Sequence, residues 1–292
     1  MLGIMPLQPV VDMDLLCDVP NQLVAKGCCS DVDIMVGTTE REFALFTANL
    51  VPVLPFTRWT TVQAVAPLVG PYMARMEKDH AAAKLLAEKL VDEYAQKLWA
   101  PSASAAKNWA DIFVAILSDH IFDAPASLLC EASVLDPARR AKTWKYLFAF
   151  KGPLGSVHGI ELPFLHGTYV LADCEPLMRN IVGAPKGDEH HKLSEVVVKA
   201  WAAFFKHGDP NCDALPAWKP FSARGRETMV FDLQERALQV ASGAYQAEID
   251  NVVQVLREHA GFDTLVRKRS VSGSAMGIIS TPSVIGLNNM EQ

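Results

Sequence analysis

Positive charge is scarce in this sequence: 27 Lys and Arg stand against 33 Asp and Glu, a formal net charge of -6 at pH 7, with a pI near 5.8. A nucleic-acid binder needs surplus cations to displace counterions from phosphates, so no nucleic acid is expected as a partner. Long apolar runs are scarce too. The richest stretch, Val62 to Ala74, is cut by Pro67 and Pro71 and falls short of the ~20 residues of a membrane span, so no transmembrane segment is expected. Met1 to Val10 has no basic region and carries Pro6 and Pro9 where a signal peptide is apolar. The expectation is a soluble chain without an address, its compartment left open. Internal repeats are absent.

The six cysteines, Cys17, Cys28, Cys29, Cys130, Cys174 and Cys212, include no C-x-x-C pair, and a chain of this length does not depend on disulfide staples. Reduced thiols are expected, with one or two disulfides as the alternative for an exported protein. Metal-ligand spacing is missing as well. His190-His191, with Asp188 and Glu189 beside them, is the nearest approach, but adjacent residues rarely point the same way and no H-E-x-x-H accompanies them. No metal and no cofactor are expected.

What is present is a globular composition: 292 residues, 50% hydrophobic and 21% charged, unlike a disordered polyampholyte. Val32 to Val36, Lys145 to Phe150 and Thr228 to Asp232 look like buried strands, and the intervals look helical. That alternation predicts an α/β layering. Met76 to Trp99 places Ala82, Leu86, Leu90, Tyr94 and Leu98 four residues apart, one stripe on a long helix. Lys192 to His207 repeats the pattern with Leu193, Val197, Trp201 and Phe204, then meets Gly208 and Pro210, the expected stop signals. A third helix is predicted over Tyr245 to Ala260, ending at Gly261. From Asp263 onward the pattern fails. Arg267-Lys268-Arg269 leads into a Ser/Gly-rich stretch, so residues 263–292 are expected to form a flexible tail.

The most distinctive string is Gly155-Ser156-Val157-His158-Gly159-Ile160-Glu161-Leu162-Pro163-Phe164, directly after the second strand. A histidine beside a glycine on a loop at the C-terminal edge of a sheet can approach a substrate without steric shielding. An isolated histidine would ordinarily be a surface residue, but this string resembles the G-x-x-H-G-x-E-x-P-F signature around the catalytic histidine of type-B carboxylesterases, an α/β-hydrolase family. A second stretch, Gly37-Thr38-Thr39-Glu40-Arg41-Glu42-Phe43-Ala44-Leu45-Phe46, is similar to the family's G-T-x-x-D-E-G-x-x-F loop, with Arg41 in place of Asp and Phe43 in place of Gly. The resemblance implies that His158 is the base of a Ser-Glu-His triad and Glu42 its acid. A carboxylate there would hold the imidazole in one tautomer and stabilise it once protonated.

Ser118-Asp119-His120-Ile121-Phe122-Asp123-Ala124-Pro125 resembles the family's S-D-x-x-F-x-x-P segment. Trp201 through His207-Gly208-Asp209-Pro210-Asn211, with Trp218 and Phe221, resembles its W-x-x-F-x-x-x-G-D-P-N…W-x-x-F run. Asp119 and Glu161 are expected to be structural, bonding backbone or neighbouring polar groups. The likeness runs from Pro9-Val10-Val11-Asp12 to about Phe262. The domain reading is therefore residues 1–262 as the C-terminal part of a carboxylesterase unit, followed by the tail.

The nucleophile elbow is missing. In α/β hydrolases the triad runs Ser, acid, His with Ser in G-x-S-x-G, yet the acid here stands at position 42 and no serine has glycine at both minus two and plus two. Ser156, in the histidine loop, is expected to support backbone; Ser274, in Gly273-Ser274-Ala275-Met276-Gly277, lacks the first glycine. The glycine-rich oxyanion loop is also not found. The fold expected is the C-terminal half of an α/β hydrolase, a mixed and mostly parallel sheet with a helical cap region over 56–135 and flanking helices. Such a half sheet leaves a hydrophobic strand as a bare edge, so folding alone is expected to be poor.

Two functions follow. One is a carboxylic ester hydrolase acting on a small-molecule ester in the complete enzyme, inactive as this chain alone and a candidate to pair with a complementary N-terminal half. The alternative is a non-catalytic binding or adhesion module of the same family, for which Arg41 and Phe43 speak.

Overall fold

The computed structural model describes residues 11–48, 56–69, 80–184, 188–233 and 239–242. The helix predicted over 245–260, the tail from 263, Ser274 and the 267–269 basic triplet lie outside the described residues.

The described chain runs α1 (Pro20–Ala25), β1 (Ile34–Thr39), α2 (Ala44–Thr47), α3 (Arg58–Val69), α4 (His80–Leu98), α5 (Ala105–Ser118), a π turn (Asp119–Asp123), α6 (Ala124–Leu135), β2 (Thr143–Phe148), α7 (Glu161–Leu165), a 3-10 turn (Thr168–Asp173), α8 (Pro176–Val182), α9 (Glu189–His207), β3 (Glu227–Phe231) and β4 (Gln239–Ser242). The strands form one sheet in the order β1-β2-β3-β4. β1, β2 and β3 are parallel, and β4 closes antiparallel on β3. This is the mostly parallel sheet that the sequence predicts, with helices connecting its parallel members as the geometry of parallel pairing demands.

The strand limits differ from the expected ones. Val32 is exposed and precedes β1, while Gly37-Thr38-Thr39, read as loop, stays paired through Thr39 opposite Phe148. Gly37 lies under the Tyr146 ring of β2, where a Cβ would sit 2.3 Å from a ring carbon; a bare backbone lets the aromatic cross the neighbouring strand.

One core lies between the sheet and α9, built on Trp144, Phe148, Phe164, Val197, Trp201 and Phe231. A second joins α3, α4 and α5 through Val62, Val65, Leu90, Val91, Ile112 and Ile116. The α4 stripe buries Leu86, Leu90 and Tyr94, but Leu98 is exposed. Steps of four residues overrun a 3.6-residue turn by ~40° each, so the stripe rotates off the core. α9 stops at Gly208, whose φ of +68° and amide bond to the Phe204 carbonyl, 2.8 Å, make the αL cap that glycine supplies.

The expectation that no segment reaches membrane-spanning length meets one exception. Through the π turn, α5 and α6 make one continuous helix, Ala105–Leu135, long and apolar enough to cross a membrane by length and composition alone. Ile112, Ile116, Leu117, Ala124 and Cys130 on it are buried inside the protein. The π turn has a local cause: Pro125 has no N–H to return to residue 121 and its ring crowds that carbonyl, and the Ala124 amide reaches back instead to Asp119.

Candidate active site

The C-terminal ends of β1 and β2 place two turns side by side. After β1 the chain turns at once, and Glu42 is buried with both carboxylate oxygens engaged. Oε1 accepts from the Thr39 amide at 2.6 Å, and Oε2 lies 2.6 Å from His158 Nδ1. A buried carboxylate is tolerable only with such partners. The His158 amide also donates to the Glu42 carbonyl, 3.3 Å, so the two residues are tied through backbone and side chain. With Nδ1–H committed to Glu42, the ring's Nε2 carries the free lone pair. The His158 side chain is 47% exposed, against 7% for Glu42.

Both turns are braced. Ser156, fully buried, donates through Oγ to the Phe148 carbonyl at 2.5 Å and accepts from the Glu40 amide at 3.3 Å, while its carbonyl accepts from the Arg41 amide at 2.8 Å. Gly155 and Gly159, at φ of +89° and +74°, take the left-handed conformations that bring the histidine loop back over β2. Ser118 Oγ, on α5, accepts from the Phe43 amide at 3.0 Å.

The two departures from the family pattern are absorbed locally. Arg41 turns away from Glu42 and pairs with Asp111 of α5, 2.7 Å. Phe43 has φ -75° and ψ -10°, which any residue adopts, and its ring packs edge-on against Phe113 in the helical core.

Two contacts were not anticipated from the sequence. The His158 ring packs on Phe46, centroids 5.3 Å apart, and on Phe122 of the π turn, 5.1 Å. Both occupy the fixed aromatic position of a motif already singled out, so a signal for them existed. Phe122 is set by its neighbour Asp123, which accepts from Thr38 Oγ1 at 3.1 Å and faces the buried Lys145 ammonium at 3.4 Å. Lys145 also donates to Ser127 of α6, 2.7 Å. Through this network the helical region reaches the imidazole.

The remaining candidates separate. Asp119 accepts from the Tyr94 hydroxyl at 2.5 Å, a structural role. Glu161, at the start of α7, has Oε2 buried with no hydrogen-bond partner among the described residues, so the expected bond to a neighbour is not made at that atom. Burial, and then the charge of Glu42, push its carboxyl above the ordinary range. His190 and His191 diverge: His190 Nε2 meets the Val182 carbonyl at 3.0 Å, and His191 Nδ1 the Tyr169 hydroxyl at 3.1 Å. A cavity of about 320 Å³ opens behind the acid turn, lined by Glu40, Arg41, Tyr94, Asp111 and Asp119 among others; neither Glu42 nor His158 lines it.

His120, buried on the π turn, is held neutral by desolvation, its pKa lowered to about 4 from 6.5. The unfolded chain therefore takes up a proton before the folded one as pH falls. Above pH 6.5 both forms are neutral and nothing is lost; between 6.5 and 4 stability is expected to fall by roughly 3 kcal/mol. Urea unfolding across that range, compared with His120→Gln, checks it: the variant is expected to lose correspondingly less stability on acidification.

A mostly parallel sheet with the Glu42–His158 pair at the C-terminal ends of its parallel strands is the arrangement of an α/β hydrolase. The sequence profile of the carboxylesterase family matches residues 2–251, and the chain belongs to that family. It is 27% identical over 229 residues to para-nitrobenzyl esterase of Bacillus subtilis, covering 77% of this chain and 39% of that protein. It is 26% identical over 227 residues to carboxylesterase 1D of Rattus norvegicus, covering 75% and 36%. The fold is shared with a carboxylesterase of Geobacillus stearothermophilus (TM-score 0.56, 22% identity, 84% of this chain and 45% of that one) and with a thermophilic pNB esterase (TM-score 0.58, 21% identity, 86% and 44%). The chain thus spans about four-tenths of the length of the curated relatives it matches.

Proposed function

We propose that this chain supplies the acid and base of a carboxylic ester hydrolase, Glu42 and His158, and that the serine nucleophile and oxyanion donors come from a complementary segment outside these 292 residues. The observation that carries the proposal is the 2.6 Å Nδ1···Oε2 contact between a buried carboxylate and a half-exposed imidazole. It fits the requirement that a general base be fixed in one tautomer with its other nitrogen free. Among the described residues the hydrogen bond of the His158 ring runs to Glu42, and Ser156 and Ser118 spend their hydroxyls on backbone carbonyls.

In the complete enzyme, His158 Nε2 takes the serine proton as Oγ attacks the ester carbonyl, and returns it to the departing alkoxide. Water then enters, gives its proton to the same nitrogen and cleaves the acyl-enzyme. Glu42 stays ionised and stabilises the imidazolium. On this reading, residues 1–262 are the C-terminal part of the esterase unit and 263–292 a tail beyond it. The complementary segment docks along β1, which pairs only with β2 among the described residues. Alone, the chain is inactive and folds poorly.

Co-expression with the part of para-nitrobenzyl esterase that precedes the matched region tests this. Hydrolysis of p-nitrophenyl acetate that neither segment shows separately is the expected result. A stable complex with no such activity would contradict it.

A further inference from the structure

The adjacent thiols Cys28 and Cys29 sit on the loop before β1, at the opposite end of that strand from Glu42, and the esterase chemistry leaves them unused. Their sulfurs face each other at 3.4 Å, with Cys28 exposed and Cys29 half-buried.

The backbone around them is fixed. α1 ends in a Schellman closure: the Gly27 amide bonds to the Val24 carbonyl at 3.0 Å and the Cys28 amide to the Leu23 carbonyl at 3.1 Å, with Gly27 at φ +97°. Both bonds and the left-handed glycine are the elements of that motif. On the other side, Arg139 Nη1 donates to the Cys29 carbonyl at 2.9 Å, and Ser30 Oγ donates to Asp136 at 2.5 Å. The two thiols are therefore presented together by a rigid frame.

Neighbouring cysteines are poor disulfide partners. Consecutive Cα atoms are ~3.8 Å apart, below the ~4.4 to 6.8 Å of unstrained disulfides, so the oxidised pair would be strained and easily reduced. A single soft centre bound to both sulfurs has no such conflict. With thiolate bonds of ~2.3 Å, its two sulfurs stand about 3.5 to 4 Å apart, close to the spacing found here. Thiolates favour soft acceptors.

We propose that Cys28 and Cys29 form a preorganised dithiol site that chelates a trivalent arsenical. With phenylarsine oxide, both sulfurs bond to arsenic, the As–O bond breaks, and the oxygen leaves as water carrying the two thiol protons. Arsenic stays trivalent, so no oxidant is required. No net proton is released, so the affinity does not rise with pH; the attacking species is the thiolate, and it is the rate of capture that rises with pH. Burial and the bond to Cys29 hold the Cys28 thiol above its ordinary value, which shifts that rise to higher pH.

The test is titration of the full chain with phenylarsine oxide, read by intact mass. One adduct per chain is expected, retained in excess glutathione and removed by dimercaptopropanol, with arsenic bridging a proteolytic peptide that holds both residues. Cys28→Ser and Cys29→Ser are each expected to weaken binding by about 10²-fold or more, the second bond being intramolecular; Cys17→Ser leaves it unchanged. Stripping of the wild-type adduct by glutathione would overturn the proposal, and so would a bridge to any other cysteine. Both of these readouts need no variant to fold.

Discussion

Replacing His158 with alanine is expected to abolish turnover in the enzyme reconstituted from this chain and a nucleophile-bearing segment, with kcat falling by roughly 10⁶, the scale set by the same deletion in a serine protease. The reason lies in what the imidazole does twice. On the proposed mechanism it removes the serine proton during acylation and the water proton during deacylation, and the two carboxyls beside it among the described residues are otherwise placed. Glu42 is buried and already shared between the Thr39 amide and His158. Glu161, the other nearby carboxyl, has its Oε2 buried and is raised above the ordinary carboxylate range by burial and by the charge of Glu42. Alanine also removes the ring that fills the space against Phe46 and Phe122. KM and complex formation are therefore to be measured beside kcat. A loss confined to kcat supports the assignment, whereas a loss explained by failed assembly does not bear on the base. Residual activity within tenfold of wild type, in an assembled complex, would rule His158 out.

Glu42→Gln is expected to lower kcat by about 10⁴ while leaving the complex intact, by analogy with amide replacement of a triad acid. Glutamine is nearly isosteric and can still accept from the Thr39 amide. What it loses is charge. Its amide nitrogen facing His158 Nδ1 would favour the tautomer with the proton on Nε2, the wrong nitrogen for a base, and the imidazolium formed during reaction would lack its counter-charge. The signature that separates this role from simple packing is rescue by the other acid: Glu42→Asp is expected to recover part of the kcat that Glu42→Gln loses, whereas a purely structural contact would favour the near-isosteric glutamine. Wild-type rates in Glu42→Gln would contradict the assignment.

Local sequence carried much of this architecture, and the rest depended on partners far along the chain. α9 was legible to its last residue because its apolar spacing, Gly208 and Pro210 are all local signals. The sequence pattern starts β1 two residues early, because Val32 is as apolar as a strand residue, and its solvent exposure follows from where the pairing with β2 begins. The pattern also ends the strand early, because Gly37 reads as a loop although the Tyr146 ring lies over it. β4 exists by pairing with β3 and has no long alternating pattern of its own.

The Glu42 and His158 motifs could be read directly, since each is a contiguous string. Their surroundings could not. Arg41 stands beside Glu42 in the sequence, but its guanidinium pairs with Asp111, 70 positions on. Nothing near Phe43 announces that Ser118 Oγ will receive its amide. The sequence likewise names Lys145 as a strand residue without indicating that Asp123 and Ser127 meet it inside the protein. These are long-range polar contacts that exist only once the helices have packed on the sheet.

The central claim, that the base and acid lie in this chain and the nucleophile outside it, is tested most directly by treating the isolated chain with a fluorophosphonate probe while assaying p-nitrophenyl acetate against a His158→Ala control. The account predicts no labelled serine and no His158-dependent rate, with both appearing once the complementary segment is added and the label falling on that segment. Stoichiometric labelling of the isolated chain, with a rate that disappears in His158→Ala, would place the nucleophile within these 292 residues and contradict it.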